Sequence, residues 1–288
     1  MNKNQTIMLA MAGATLLASS QAQAGGLTSY AYGDLLLNFR NTQTDTGNDV
    51  VVDMGNVSTF LSTVATDGGT VVLDNGTGYS ATAGINYVSA GDLQTEVGSF
   101  NQVGMSAIAD AVQSGTATQK ATLWLSRVVT SGQGSSSQVS GPNASLVKGY
   151  IQQIGGEASS AGGDGNQSTL ANSVNAAVVL ASAPGSYQNQ GQAPGDPTTI
   201  NYQGVISVSG SALEATPSAG TVYEALWTTP PTGTSATYDG YFAFEPNGEV
   251  VFSTGTVSAI PEPSTYALFA VVGLAALAFR RQLRSLAA

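Results

Sequence analysis

The sequence predicts a β-rich α+β body, built as two sheets in a sandwich-like arrangement with one helical insertion. An N-terminal signal peptide precedes it and a single C-terminal membrane helix follows. Three observations carry that reading. Short apolar runs rich in valine, leucine and aromatics recur along the chain, separated by clusters of Gly, Asn, Asp, Ser and Thr. One internal region changes to helical spacing. Both ends hold an apolar run beside positive charge, while charged residues make up only 9% of the whole.

Lys3 supplies a small positive start, Ile7 to Ala18 is apolar, and Ala22-Gln23-Ala24 is a small-x-small cleavage signal before Gly25. Residues 1–24 are therefore assigned to a signal peptide, and Ala22, Ala24 and Gly25 to its cleavage site. In the body (25–257), Tyr30–Arg40 (YAYGDLLLNFR) and Asp49–Asn56 (DVVVDMGN) read as strands joined by the polar TQTDTGN. A helical turn over Thr59–Ala65, a strand over Gly69–Asn75 and a short helix capped by Asp92 follow. Met105–Val112 and Thr122–Val129 are further strands.

Between Asn143 and Ile154 the apolar residues Leu146, Val147, Tyr150, Ile151 and Ile154 recur at helical spacing. Pro142 stands before them, and Gly155-Gly156 serve as the expected stop. A second helix is expected over Leu170–Ala183, ended by Pro184, so the helical insertion runs from Asn143 to Ala183. Strands at Ile200–Ser209 and Thr221–Thr228 and a hairpin over Tyr241–Ser253 close the body. Pro246-Asn247-Gly248 makes the hairpin turn, and Phe242, Phe244, Val250 and Phe252 share one buried face.

The tail (258–288) reads Ile260-Pro261-Glu262-Pro263, then the uncharged run Tyr266–Phe279, then Arg280, Arg281 and Arg284. Fourteen helical residues span about 21 Å at about 1.5 Å each, short of a hydrocarbon core of about 30 Å. Ser264 and Thr265 extend the run, and the arginines mark its cytoplasmic side. In its order of parts this tail resembles the PEP-CTERM sorting tail of Gram-negative bacterial proteins. The resemblance implies recognition by an exosortase, a membrane sorting enzyme, at Pro261-Glu262-Pro263. It also implies passage through the inner membrane with the C-terminus cytoplasmic, then delivery to the cell surface or matrix, where exopolysaccharide is the usual setting. Gly33-Asp34-Leu35-Leu36-Leu37, Phe39-Arg40 and Val52–Asn56 are similar to the mature start of one group of such proteins.

Composition narrows the activity of the body. Four basic residues remain there (Arg40, Lys120, Arg127, Lys148) against seventeen acidic ones, a formal charge near −13, so nucleic acid is not an expected partner. With no cysteine and no histidine, disulfides, Ser-His-Asp chemistry and the usual zinc sites are excluded, and no cofactor is expected. Ser145-x-x-Lys148 fits an acyl-enzyme pattern but lacks its companion motifs, so it reads as a helix start. Asp164, Asn166 and Ser168 alternate like the front of a calcium loop, yet Thr169 and Asn175 stand where that loop needs glycine and glutamate. Asp45, Asp49 and Asp53 form a second acidic cluster, expected to be solvated. Glu214 with Glu224, or Asp239 with Glu245, are the carboxylate pairs to test for glycoside chemistry. Tyr30, Tyr32, Trp124, Tyr202, Tyr223, Trp227 and Tyr238 are candidates for stacking on sugars. The expected function is a non-enzymatic surface or biofilm-matrix protein associated with exopolysaccharide; the alternatives are a carboxylate-pair polysaccharide enzyme and a calcium-stabilised adhesin.

Overall fold

The computed structural model describes residues 25–43, 47–74, 85–110, 122–130, 132–133, 141–163, 170, 173–190, 214, 216–217, 220–230 and 236–257. The ten strands are β1 (Gly25–Gly26), β2 (Asp34–Asn41), β3 (Asn48–Asn56), β4 (Thr70–Asp74), β5 (Val103–Asp110), β6 (Leu123–Val129), β7 (Val174–Leu180), β8 (Val222–Thr229), β9 (Thr237–Phe244) and β10 (Val250–Ser253). The helices are α1 (Val57–Thr66), α2 (Ala90–Val97), α3 (Gly141–Gly163) and the single turn α4 (Tyr187–Gln190).

Two separate sheets were expected, but the strands form one, in the order β1-β7-β3-β2-β5-β6-β8-β9-β10-β4. Among the described residues nine strands pair antiparallel, and only the short β1 lies parallel, against β7. The two halves join through Ile108, Ala109 and Asp110 of β5, opposite Leu125, Trp124 and Leu123 of β6. At the next position the ladder gives way, and the Ala107 N–H donates to Ser126 Oγ at 2.8 Å. Past this narrow seam the sheet curls until its halves face each other. Phe39 of β2 meets Phe244 of β9 edge to face at 5.8 Å. A sandwich-like interior is thus made by one sheet bent on itself.

Alternation along β2 defines the two faces. Leu35, Leu37 and Phe39 point into the curl and join Val50, Val52, Met105, Phe242, Phe244 and Phe252 in the main core. The hairpin face expected for Phe242, Phe244, Val250 and Phe252 is present, with Val250 opposite Phe244 and Phe252 opposite Phe242. Helices α1 and α2 close the interior with Val57, Phe60, Val64, Leu93 and Val97. Phe60 stacks on Phe242 and meets Phe252 at 5.1 Å. Burial of such a side chain stabilises by about 1.5–3 kcal/mol.

The outer face holds Leu36, Val51, Ile108, Leu125, Ala177 and Val179, covered by Val147, Ile151, Ile154 and Ala158 of α3. Close approach of this helix explains why Gly155-Gly156 do not end it. A Cβ on Gly155 would lie 2.4 Å from Cγ of Tyr30, and one on Gly162 would lie 1.6 Å from the carbonyl oxygen of Leu27. The glycines are contact points, and helix propensity gives way to packing.

Other expectations shift as well. α1 has ten residues rather than one turn, capped by the Asn56 side chain on the Ser58 N–H. Asp92 does not cap α2; Ser89 does, accepting from the Asp92 N–H at 3.1 Å. Leu170–Ala183 is not helical: Val174–Leu180 is β7, pairing with β3 from Val52–Ala176 to Asn48–Leu180. Its alternation puts Ala176 in the interior core and Ala177 and Val179 outside, a demand that overrides the helix propensity of the alanines. The helical insertion is therefore α3 alone. The expected strand at 200–209, the signal peptide before Gly25 and the C-terminal helix lie outside the described residues. Among the described residues no helix is long and apolar enough to cross a membrane.

Candidate functional site

The outer sheet face carries two buried polar clusters, one at each end of β2. Asp34, Leu36, Asn38 and Arg40 alternate outward on that strand, beside Asp49, Val51 and Asp53 of β3. Asp49 and Asp53, expected to be solvated, are instead 1% and 3% exposed. The strand period was right about their shared face, but α3 and α4 cover that face. Asp45 lies outside the described residues.

At the first end Asp34 of β2 and Asp53 of β3 sit side by side on the outer face, close enough for each charge to be felt by the other. Burial raises both above the usual carboxylate range, and Asp34 raises Asp53 further. Backbone N–H groups of Ala31 and Gly55 donate to them at 2.8 and 2.7 Å. Nearby, Asp110 accepts from the Tyr30 hydroxyl at 2.7 Å, the Gly33 N–H at 3.2 Å and Gln152 Nε2 of α3 at 2.9 Å. Burial, then the Asp110 charge, pushes the Tyr30 hydroxyl well above its ordinary value. The cluster pins the approach to β2 and the middle of α3 to the sheet.

At the second end Arg40, 4% exposed, forms an ion pair with Glu214. Its Nε donates to both Glu214 oxygens, at 2.8 and 3.0 Å, and its Nη1 to Gln188 Oε1 at 3.0 Å. Glu214 also accepts from the Tyr187 hydroxyl at 2.9 Å, and the guanidinium lies 5.9 Å from the Tyr187 ring centroid. Asp49 accepts from the Gln188 N–H at 2.6 Å. Burial pushes its carboxyl up to about 7, against lowering by that N–H and by Arg40. α4 is thus fastened to β2 and β3.

These contacts separate the carboxylate pairs considered for glycoside chemistry. Glu214 belongs to the Arg40 cluster, whereas Glu224 is fully buried on β8 and accepts from Ser126 Oγ at 2.7 Å. Asp239 accepts from Thr228 Oγ1 at 2.6 Å. Six residues at about 3.3 Å each put Asp239 about 20 Å from Glu245, twice the roughly 9.5 Å that an inverting pair uses. Among the described residues no three acidic side chains are grouped to hold a metal ion. The Asp164, Asn166 and Ser168 loop lies outside them. Ser145 is exposed on α3, and Lys148 Nζ sits 5.3 Å over the Tyr32 ring.

Of the candidate aromatics, the structure brings together Tyr223, Trp227 and Tyr238, with Tyr241 added. They meet on the outer face of β8 and β9 around Val129, Ala225 and Val257. Tyr30 and Tyr32 are near α3, Trp124 packs against the interior core, and Tyr202 lies outside the described residues.

Val257 is where the described chain ends, and it is held firmly. Gly132 N–H donates to the Val257 carbonyl at 2.7 Å, Val257 N–H returns a bond at 3.1 Å, and Tyr238 hydroxyl donates to the Gly255 carbonyl at 2.7 Å. Just beyond, a family model described as the PEP-CTERM protein-sorting motif matches residues 259–282. The chain carries a PEP-CTERM sorting motif. The match takes in Pro261-Glu262-Pro263, Arg280 and Arg281 and stops before Arg284. Such a motif implies export, recognition by an exosortase and a surface or extracellular destination. No curated protein and no solved structure matches the chain.

Proposed function

We propose that this PEP-CTERM protein is a non-enzymatic component of the cell surface or biofilm matrix, associated with exopolysaccharide. An exosortase would process it at Pro261-Glu262-Pro263, after Tyr266–Phe279 has held it across the inner membrane with Arg280, Arg281 and Arg284 inside. The observation that carries this is a sorting motif beginning two residues after the last residue pinned into a folded β-sheet body. An acidic, disulfide-free body repels anionic lipid and nucleic acid but not neutral glycans. Of the carboxyl groups considered for glycoside chemistry, Glu214, Glu224 and Asp239 are engaged in an ion pair and hydrogen bonds that fasten the fold. These support a binding or scaffolding role.

The test is a deletion strain examined for matrix composition, with the tagged protein restored. Recovery of the protein with isolated polysaccharide, and loss of matrix on deletion, is the expected result. A protein that reaches the surface but neither binds polysaccharide nor alters the matrix would remove the association. Release of reducing ends from that polysaccharide by the purified protein would replace this reading with the carboxylate enzyme.

A further inference from the structure

The body keeps its hold on the chain almost to the sorting signal. Thr254 N–H donates to Gly69 at 2.8 Å, Gly255 accepts from Tyr238, and Val257 is paired with Gly132 and 97% buried among Val129, Ala225 and Trp227. Pro261 lies four positions beyond Val257, at most about 14 Å of extended chain. Tyr266 lies nine positions beyond it, at most about 32 Å. An enzyme that grips Pro261-Glu262-Pro263 at the membrane must therefore come up against the part of the body from which the chain leaves.

That part has a distinct surface chemistry. Tyr223, Tyr238 and Tyr241 are half-buried around Val257. Tyr223 and Tyr241 meet edge to face at 5.7 Å, and Trp227 and Tyr238 at 5.3 Å. Trp227 Nε1 is buried without a hydrogen-bond partner. Tyrosine offers an apolar ring and a polar tip, the combination favoured in protein interfaces and at the edge of a bilayer.

We infer that the β8–β9 tyrosine face around Val257 is a docking surface for the extracytoplasmic side of the sorting enzyme. On this account the Gly132–Val257 pairing fixes the distance and angle at which the motif is presented. The inference rests on the sorting reading above and is independent of polysaccharide association. Body and motif form a two-part substrate, in which docking raises the local concentration of the motif at the enzyme.

The test follows processing of the full-length chain by pulse-chase in cells with the enzyme. One variant carries a Gly-Ser linker of about twelve residues after Ser258, adding about 19 Å of root-mean-square reach, beyond every contact that pins Val257. A second carries Tyr223→Ser with Tyr241→Ser, its melting compared with wild type so that a folding defect is recognised. Both should slow processing, the double variant by about tenfold, the loss expected for a central interface aromatic. Wild-type or faster processing of the linker variant would overturn the inference, because the pinned chain would then be no aid to the enzyme. So would unchanged processing of a folded double variant. If in a strain lacking the enzyme the membrane shields the body from protease and the tyrosine variants lose that shielding, the face binds lipid and the inference fails. Continued processing of Glu262→Ala would mark a different failure, that of the sorting reading itself.

Discussion

Replacing Arg40 with methionine keeps the bulk of the side chain and removes the guanidinium from a site where it is 4% exposed. Glu214 then loses its cation and both Nε bonds, with the Tyr187 hydroxyl at 2.9 Å remaining among the described residues, and Gln188 Oε1 loses the bond from Arg40 Nη1. An uncompensated buried charge costs about 3–5 kcal/mol. For a body of residues 25–257, each kcal/mol moves the melting temperature by about 2–4 °C. The expected drop is therefore about 6–20 °C by circular dichroism, with a matching fall in the urea midpoint. Adding Glu214→Leu to Arg40→Met removes the stranded charge and should restore most of the loss. A shift under about 2 °C for Arg40→Met would refute the reasoning, because it would show the pair to be solvated. So would a double variant no better than the single one.

The raised carboxyl of Asp49 gives a pH dependence of known sign. Its folded value of about 7 lies above the ordinary 3.8, so its contribution is fully present below about pH 4 and is lost as pH rises through 7. The raised Asp34–Asp53 pair acts in the same direction. Asp49→Asn should flatten the decline in stability between pH 5 and 8, measured by urea titration at each pH; an unchanged slope would contradict the assignment. Gly162→Val should prevent α3 from seating on Leu27 and expose the N-terminal segment to protease, whereas Gly156→Ala, with open space around its Cα, should not. Phe60→Ala empties a ring from the main core and should cost about 3–5 kcal/mol in urea unfolding. Calcium and sodium at matched ionic strength should shift the melting temperature equally if only charge screening acts; a calcium-specific rise would favour the adhesin reading.

The strands were legible where composition and period agreed. DVVVDMGN gave the element, because its valines favour a strand, and YFAFEPNGEVVFS gave both the element and the buried face, because its aromatic and β-branched residues alternate cleanly. The error at β7 had a physical source: NAAVVL suits a helix locally, and only the free edge of β3 makes it a strand. Gly155-Gly156 misled for a related reason, since a glycine that can end an isolated helix is also, at Gly155, the residue that lets one lie close to Tyr30. The aspartates of β3 were placed on the right face but in the wrong medium, because period says which side a residue takes and nothing of what covers that side. Arg40 and Glu214 are 174 positions apart, and no local signal joins them. The sorting motif was legible from the chain alone because its three parts are contiguous and are read as sequence.

The central claim is that Pro261-Glu262-Pro263 addresses a folded body to a membrane sorting enzyme. Its most direct test is the fate of a tagged Glu262→Ala chain, followed by pulse-chase and surface labelling beside the wild type and beside a strain without the exosortase. The account predicts that the wild type is shortened and surface-exposed, while the variant and the enzyme-less strain both accumulate the unprocessed, membrane-held form. Normal shortening and normal surface exposure in either case would contradict it.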